Sequence, residues 1–168
     1  MISKNDITVI DNVLSSHDAD FIENRLLGSW FPWYLSQGVD FEDDNMFQFV
    51  HNFFKNNEWT TYEKDVVTPI IEKLNLISII KIKANLTGLH QFNYTKNFHI
   101  DIESENSKTA IYYVNDNNGK TLFRDIGEVD CKKNRLVVFP SNIFHTGQMH
   151  SDTIHGGKCV INFNFYGS

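Results

Sequence analysis

The sequence predicts a mostly β chain with N-terminal helices, an α+β fold built on a sandwich or barrel. Two observations carry this. From Ile77 onward, β-branched and aromatic residues run in short stretches separated by Asn, Asp, Gly and Ser clusters, the texture of strands joined by turns. Before that point the apolar spacing is helical and the punctuation is that of helix ends. No long helix interrupts the second half, which favours sheet packed on sheet over alternating β–α units.

The first helix takes Ser15 or Ser16 as N-cap and places Asp18 and Asp20 in its first turn. It spaces Phe21, Ile22 and Leu26 along one side and stops at Gly28. In the aromatic segment Trp30-Phe31-Pro32-Trp33-Tyr34, Pro32 breaks helix, and the rings cover a core or wall a cleft, core cover being the first expectation. Helical spacing returns from Met46 to Phe54 and from Thr60 to Leu74, with Thr60 as a cap and Pro69 bending or dividing the segment. Strands are expected at Ile79 to Leu86, Asn97 to Glu103, Thr109 to Asn115, Lys120 to Phe123, Glu128 to Cys131, Arg135 to Phe139 and Lys158 to Tyr166. Asn115-Asp116-Asn117-Asn118-Gly119 forms a turn. With no repeat, linker or low-complexity tract, the reading is one domain over 1–168, a helical part at about 1–76 and a β core at about 77–166.

Composition narrows the function. A chain of 168 residues, 41% of them hydrophobic, buries a core without a disulfide scaffold. Lys plus Arg total 15 against 21 Asp plus Glu, a net charge of −6, so nothing attracts a phosphate backbone in bulk and nucleic acid is not expected as a partner. The densest basic group, Lys132, Lys133 and Arg135, reads as a solvated turn. Only Cys131 and Cys159 occur, no apolar run is long enough to cross a bilayer, and the start lacks a secretory apolar stretch. These features point to a reducing, cytoplasmic setting.

His99-Ile100-Asp101 falls in an expected strand, where residues two apart share a face, so an imidazole and a carboxylate project together. An H-x-D by itself is weak, since His150-Ser151-Asp152 is a second copy. The first copy gains a sequel in His145, reached after the apolar run Arg135 to Pro140. Two His and one carboxylate form a facial triad that suits Fe(II) and leaves coordination positions open. In the last strand Lys158, Val160, Asn162 and Asn164 share one face, and Cys159, Ile161, Phe163 and Phe165 the other. If the first face lines a cavity, Lys158 needs an anion there, such as a dicarboxylate, and Tyr113 could donate its hydroxyl to the same carboxylate.

His99-x-Asp101, His145 and Lys158 together resemble the Fe(II)/2-oxoglutarate-dependent dioxygenase superfamily, in particular its prolyl 4-hydroxylase-like branch, over roughly Ile79 to Tyr166. Ala110 to Asn115 with the degenerate Asn118-Gly119-Lys120-Thr121-Leu122-Phe123, and Arg135 to Pro140 followed by His145-Thr146-Gly147, add to the likeness. The resemblance implies a double-stranded β-helix, a cupin-like jelly roll. It implies Fe(II) on His99, Asp101 and His145, and 2-oxoglutarate held through Lys158 and Tyr113, with Asn162 and Asn164 as weaker cosubstrate contacts or, equally, structural hydrogen-bonding groups. It admits ascorbate as a reductant. Lys158 lies later after His145 than the family's basic residue usually does, which a longer turn through Gly156-Gly157 explains.

The implied reaction is hydroxylation of an unactivated C–H bond with release of succinate and CO2, first of all prolyl hydroxylation of a peptide or protein. A free amino acid or small metabolite is the alternative substrate, with an alkylated nucleobase disfavoured by charge. The segment Trp30 to Tyr34 and the loop Gly88 to Thr95 are the expected cleft rim. The rival from another class is a non-catalytic jelly-roll metal-binding module. A zinc hydrolase is disfavoured because no H-E-x-x-H occurs. Oligomeric state is not legible.

Overall fold

The computed structural model describes residues 6–37, 47–89, 97–152 and 157–167. In chain order the elements are β1 (Thr8–Asp11), α1 (Ser16–Leu27), β2 (Tyr34–Gln37), β3 (Phe47–Lys55), β4 (Glu58–Trp59), α2 (Lys64–Ile71), β5 (Leu76–Thr87), β6 (Ser107–Tyr113), β7 (Lys120–Phe123), β8 (Gly127–Asp130), β9 (Arg135–Pro140), β10 (His145–Gln148) and β11 (Lys158–Gly167). The larger sheet runs β1-β9-β6-β11-β5-β3-β2, with β4 paired to β3, and the smaller runs β10-β7-β8. Every pair is antiparallel. The fold is a jelly roll, mostly β, with two helices among the described residues.

Side-chain alternation on β11 and β6 sorts the interior into two clusters. Cys159, Ile161, Phe163 and Phe165 join Ala110, Tyr112 and Val114 in a core that also takes Ile22 and Leu26 from α1 and Val66 and Ile70 from α2. The helices therefore cover one face of the larger sheet. On its other face Ile111, Tyr113, Val137 and Phe139 pack with Phe123 of the smaller sheet, closing the gap between the two. Each fully buried aliphatic or aromatic side chain contributes roughly 1.5–3 kcal/mol, so both interfaces are firm supports.

Helix α1 starts where Ser15 accepts the Asp18 amide at 3.2 Å, and it buries Ala19, Ile22 and Leu26. Gly28 ends it in extended backbone, where a Cβ would stand 2.6 Å from the Asn24 carbonyl oxygen. The stretch expected to be helical up to Phe54 is instead strand β3. Phe47, Phe49, His51 and Phe53 alternate onto one face, and pairing with β5 outweighs a helical spacing that short. Helix α2 is shorter than Thr60 to Leu74: the Thr60 hydroxyl donates to the Asn52 carbonyl at 2.6 Å, closing the β3–β4 hairpin rather than capping, and Pro69 sits inside the helix without dividing it. Segment 1–76, expected to be helical, thus also supplies β1 to β4.

Asn97 to Glu103 forms no strand. It is irregular chain with bends at Asp101 and Glu103, held by the single bridge His99–His145 and by the Asp101 amide donating to the Ser141 carbonyl at 3.1 Å. In the aromatic segment Phe31 is in the core and Trp33 packs against it, while Trp30 and Tyr34 are exposed. Residues 90–95 of the expected rim loop and 153–156 of the expected turn, His155 among them, lie outside the described residues.

Candidate metal centre

The bridge that ties His99 to His145 is reciprocal, each amide donating to the other's carbonyl at 3.0 and 2.9 Å, and it brings the two rings to a centroid distance of 4.7 Å. Phe139 flanks the His145 ring, and its Nδ1 contacts the Ile143 carbonyl at 3.0 Å. A carbonyl only accepts, so Nδ1 carries the hydrogen and, in the neutral ring, Nε2 carries the lone pair. That Nε2 lies 3.7 Å from Asp101 Oδ1, and His99 Nε2 lies 3.6 Å from the same oxygen. The three ligand atoms fall within 4.8 Å of one another, the only such group among the described residues.

Asp101 is exposed along its backbone, but its side chain is only 20% exposed. Its Oδ2 accepts from the Thr109 hydroxyl at 2.8 Å and from Asn164 Nδ2 at 2.9 Å, and Asn164 also donates to Thr109 Oγ1 at 3.0 Å. Both hydrogen bonds fall on one oxygen, which leaves Oδ1 turned toward the imidazoles. Burial by itself would raise this carboxyl's pKa. The neighbouring His99 and His145 rings and the Asn164 and Thr109 hydrogen bonds together hold it well below the usual carboxylate range. Two imidazole nitrogens and an ionised oxygen converging on one point suit a divalent transition metal such as Fe(II).

A cavity of ≈ 140 Å³ opens beside these groups, lined also by Thr121 and Lys158. Lys158 is 6% exposed, and its Nζ donates to the Lys120 and Gln148 carbonyls at 2.9 and 2.8 Å. No carboxylate pairs with it among the described residues. Gly119 makes room for its stem, since a Cβ there would stand 3.1 Å from Lys158 Cδ and 2.9 Å from the Gln148 carbonyl oxygen.

Tyr113 is fully buried, and its hydroxyl donates to Thr121 Oγ1 at 2.6 Å. Burial pushes its phenol pKa up, so it remains a neutral donor. Tyr113 therefore stands behind the wall that Thr121 lines. Asn162 lines the cavity, whereas Asn164 is committed to Asp101 and Thr109. Thr109, Thr121, Asn85 and Gln48 were not singled out by sequence. Period-two alternation through Tyr113 marks Thr109, and an Asn inside the strand pattern Ile82-Lys83-Ala84-Asn85-Leu86 marks Asn85.

The remaining candidates have other roles. Asp152 Oδ2 accepts the Asn118 amide at 2.7 Å, so the second H-x-D pins a turn. Lys132, Lys133 and Arg135 pair with Asp11, Asp20 and Glu23, which neutralises the basic group. No residue from Trp30 to Tyr34 lines the cavity.

Comparison with solved structures places this architecture. A prolyl hydroxylase from Trichoplax adhaerens, solved with a peptide fragment of the hypoxia inducible factor oxygen degradation domain, aligns over 97% of this chain and 84% of its own, with TM-score 0.65 and 16% identity. A 2OG-Fe(II) oxygenase family oxidoreductase from Burkholderia pseudomallei aligns over 98% and 88%, with TM-score 0.67 and 9% identity. The epimerase SnoN of nogalamycin biosynthesis, solved with Fe3+, alpha ketoglutarate and nogalamycin RO, aligns over 96% and 79%, with TM-score 0.65 and 9% identity. The chain has the fold of the 2OG-Fe(II) oxygenases, prolyl hydroxylases among them. A model for a family of unknown function (DUF6445) matches residues 85–156. No curated protein matches the sequence.

Proposed function

We propose that the chain is an Fe(II)- and 2-oxoglutarate-dependent dioxygenase, with His99, Asp101 and His145 as metal ligands and Lys158 as the anchor of the cosubstrate's far carboxylate. The observation that carries this reading is the Lys158 ammonium, buried without a carboxylate partner among the described residues in the cavity that the three ligand residues line. A buried cation costs several kcal/mol unless an anion offsets it, and two carbonyls supply dipoles but no charge. A dicarboxylate with one end at the triad would bring that charge.

In this reading Thr109 and Asn164 fix the Asp101 carboxylate so that Oδ1 faces the metal position. Ile143 fixes the His145 tautomer through its carbonyl, and Tyr113 orients the Thr121 hydroxyl at the cavity wall. When bound, iron and 2-oxoglutarate supply the oxidising chemistry: oxygen-dependent decarboxylation to succinate and CO2, coupled to hydroxylation of a C–H bond. The protein's part is to hold and aim them. A prolyl residue comes first among substrates on likeness of fold, with a free amino acid or other small metabolite as the alternative. Ascorbate would serve only as a reductant. Both cysteines are buried and free, in keeping with a reducing cytoplasm, and no described helix is long and apolar enough to cross a membrane.

Purified protein supplied with Fe(II), 2-oxoglutarate and oxygen should form succinate slowly without a second substrate, and Asp101→Ala should abolish this. Lys158→Met should raise the Kd for 2-oxoglutarate by roughly 10- to 150-fold, the value of one charged hydrogen bond at 1.5–3 kcal/mol, with metal affinity far less affected. Unchanged succinate formation in Asp101→Ala, or equal loss of metal and cosubstrate binding in Lys158→Met, would refute the assignment.

A further inference from the structure

A metal ligand is aimed only as well as the groups around it hold its side chain and backbone. His145 has the Ile143 carbonyl and the Phe139 ring, and Asp101 has Thr109 and Asn164. His99 lies in irregular chain that joins the smaller sheet through one bridge. The residue before it, Phe98, is half-buried and meets the Arg124 guanidinium, whose Cζ stands 5.1 Å from the ring centroid. The same Cζ stands 4.2 Å from the ring centroid of Phe144, the residue before His145. Arg124 is itself tied down just past β7, where its amide donates to the Phe144 carbonyl at 3.0 Å beside the register pair Phe123–His145.

We infer that Arg124 is a positioning residue of the metal centre: its guanidinium clasps Phe98 to Phe144 and so holds His99 against His145. The inference rests on the proposed dioxygenase reading for the identity of the three metal ligands, while the clasp itself is a matter of geometry. A guanidinium suits the task because it is flat, stays charged at every working pH and is weakly hydrated, so one group can face two rings. Arg124 is exposed and Phe144 is 44% exposed, so attraction between cation and rings, more than burial, fixes this contact. Two such contacts at an exposed site favour the docked over the undocked form of Phe98 by roughly 5- to 30-fold in all. Undocking would carry His99 away from its partners, and apparent metal affinity falls in proportion to the docked fraction. Neither Arg124 nor its two rings line the cavity that contains Lys158, so the cosubstrate end of the site is left alone.

The test compares the unaltered protein with Arg124→Leu, and with Phe98→Leu should the first not fold. Titration with Co(II), followed by visible absorption, should give a Kd raised about 3- to 30-fold, with the 2-oxoglutarate Kd at saturating Co(II) nearly constant. Amide hydrogen exchange of the apo protein is the second readout. The His99 amide should exchange faster by a similar factor, while that of Ile161, on β11 between β5 and β6, keeps its rate. Equal acceleration at Ile161 would make Arg124 a general support of the fold and overturn the inference, as would a raised Co(II) Kd with His99 exchange unmoved or an equal loss of 2-oxoglutarate binding. Should the unaltered protein bind no Co(II), the metal-centre reading falls and takes this inference with it. Should it bind Co(II) with the same Kd in the folded variant, the role of Arg124 alone is refuted.

Discussion

Replacing Asn164 with Leu separates two roles that the residue could play. The family resemblance offers Asn164 as a weaker cosubstrate contact and leaves a structural hydrogen-bonding role equally open. In the fold its amide donates to Asp101 Oδ2 at 2.9 Å and to Thr109 Oγ1 at 3.0 Å, and it is absent from the cavity lining. Leu keeps the branched heavy-atom skeleton, though with bulkier methyl ends, and removes the bond to Thr109 and one hydrogen bond to a charged acceptor, the latter worth about 1.5–3 kcal/mol. Thr109 still holds the same oxygen at 2.8 Å, so the carboxylate loosens without being released. Loss of a group that orients a metal ligand typically lowers metal affinity about 10- to 100-fold, and that range is expected here. Titration of Co(II) into the apo protein, followed by its visible absorption, measures the metal Kd, and 2-oxoglutarate is then titrated at saturating metal. The positioning role requires the first Kd to rise in Asn164→Leu and in Thr109→Val, with the second nearly constant. A rise confined to the 2-oxoglutarate Kd would refute it and restore the cosubstrate role.

Tyr113→Phe removes a hydroxyl that reaches the cavity only through Thr121, so it should cost about 1 kcal/mol of stability and weaken 2-oxoglutarate less than Thr121→Val does. Calorimetry on both variants checks the order, and a larger effect from Tyr113→Phe would mean direct contact. Asp11 bonds Arg135 through both carboxylate oxygens, at 2.6 and 3.0 Å, and joins β1 to β9. That pairing holds its pKa at about 2, below the ordinary 3.8, so the stabilisation is present above the ordinary value and lost as pH falls from about 4 through about 2. With the Asp11 side chain 38% exposed, screening limits it to at most about 1 kcal/mol. Melting curves of Asp11→Asn should lie below those of the unaltered protein at pH 6 and converge with them near pH 2, and a gap independent of pH would remove the ion pair as the cause.

Strand texture from Ile77 onward was legible because long runs of alternation leave few competing patterns. β5, β6, β7, β8, β9 and β11 fall within a few residues of the expected limits. The short strands β1, β2 and β10 were not legible, since, unlike the equally short β7 and β8, no flanking turn cluster marks them within the strand-textured stretch, and their identity comes from their pairing partners. β3 was misread because aromatic residues spaced for a strand also fit a helical window over nine positions. At the site, the spacing His99-x-Asp101 was informative even though no strand forms there, because the His99–His145 bridge and the Asp101 amide bond to the Ser141 carbonyl bring both side chains to one point. Which Asn faces the cavity and which serves Asp101 could not be read, since both share one face of β11 and only the docking of residues 97–103 distinguishes them.

β11 gathers these roles on one strand. Lys158, Asn162 and Asn164 stand on the face toward the smaller sheet, and Cys159, Ile161, Phe163 and Phe165 lock the opposite face into the helix-covered core. A slip of one residue would turn all three polar groups into that core, so the register between β11 and its neighbours β5 and β6 is set by the same burial that sets the site. His145 belongs to the smaller sheet, where it pairs with Phe123, and Asp101 hangs from Ser141 by its backbone. The separation between His145 Nε2 and Asp101 Oδ1 therefore depends on the apolar cluster between the sheets, with Phe123 and Phe139 in contact at 4.9 Å and Phe139 against the His145 ring at 4.8 Å. An interior packed at crystal density transmits a lost ring as a displacement, which makes Phe139 a support of ligand geometry although it offers no ligand atom.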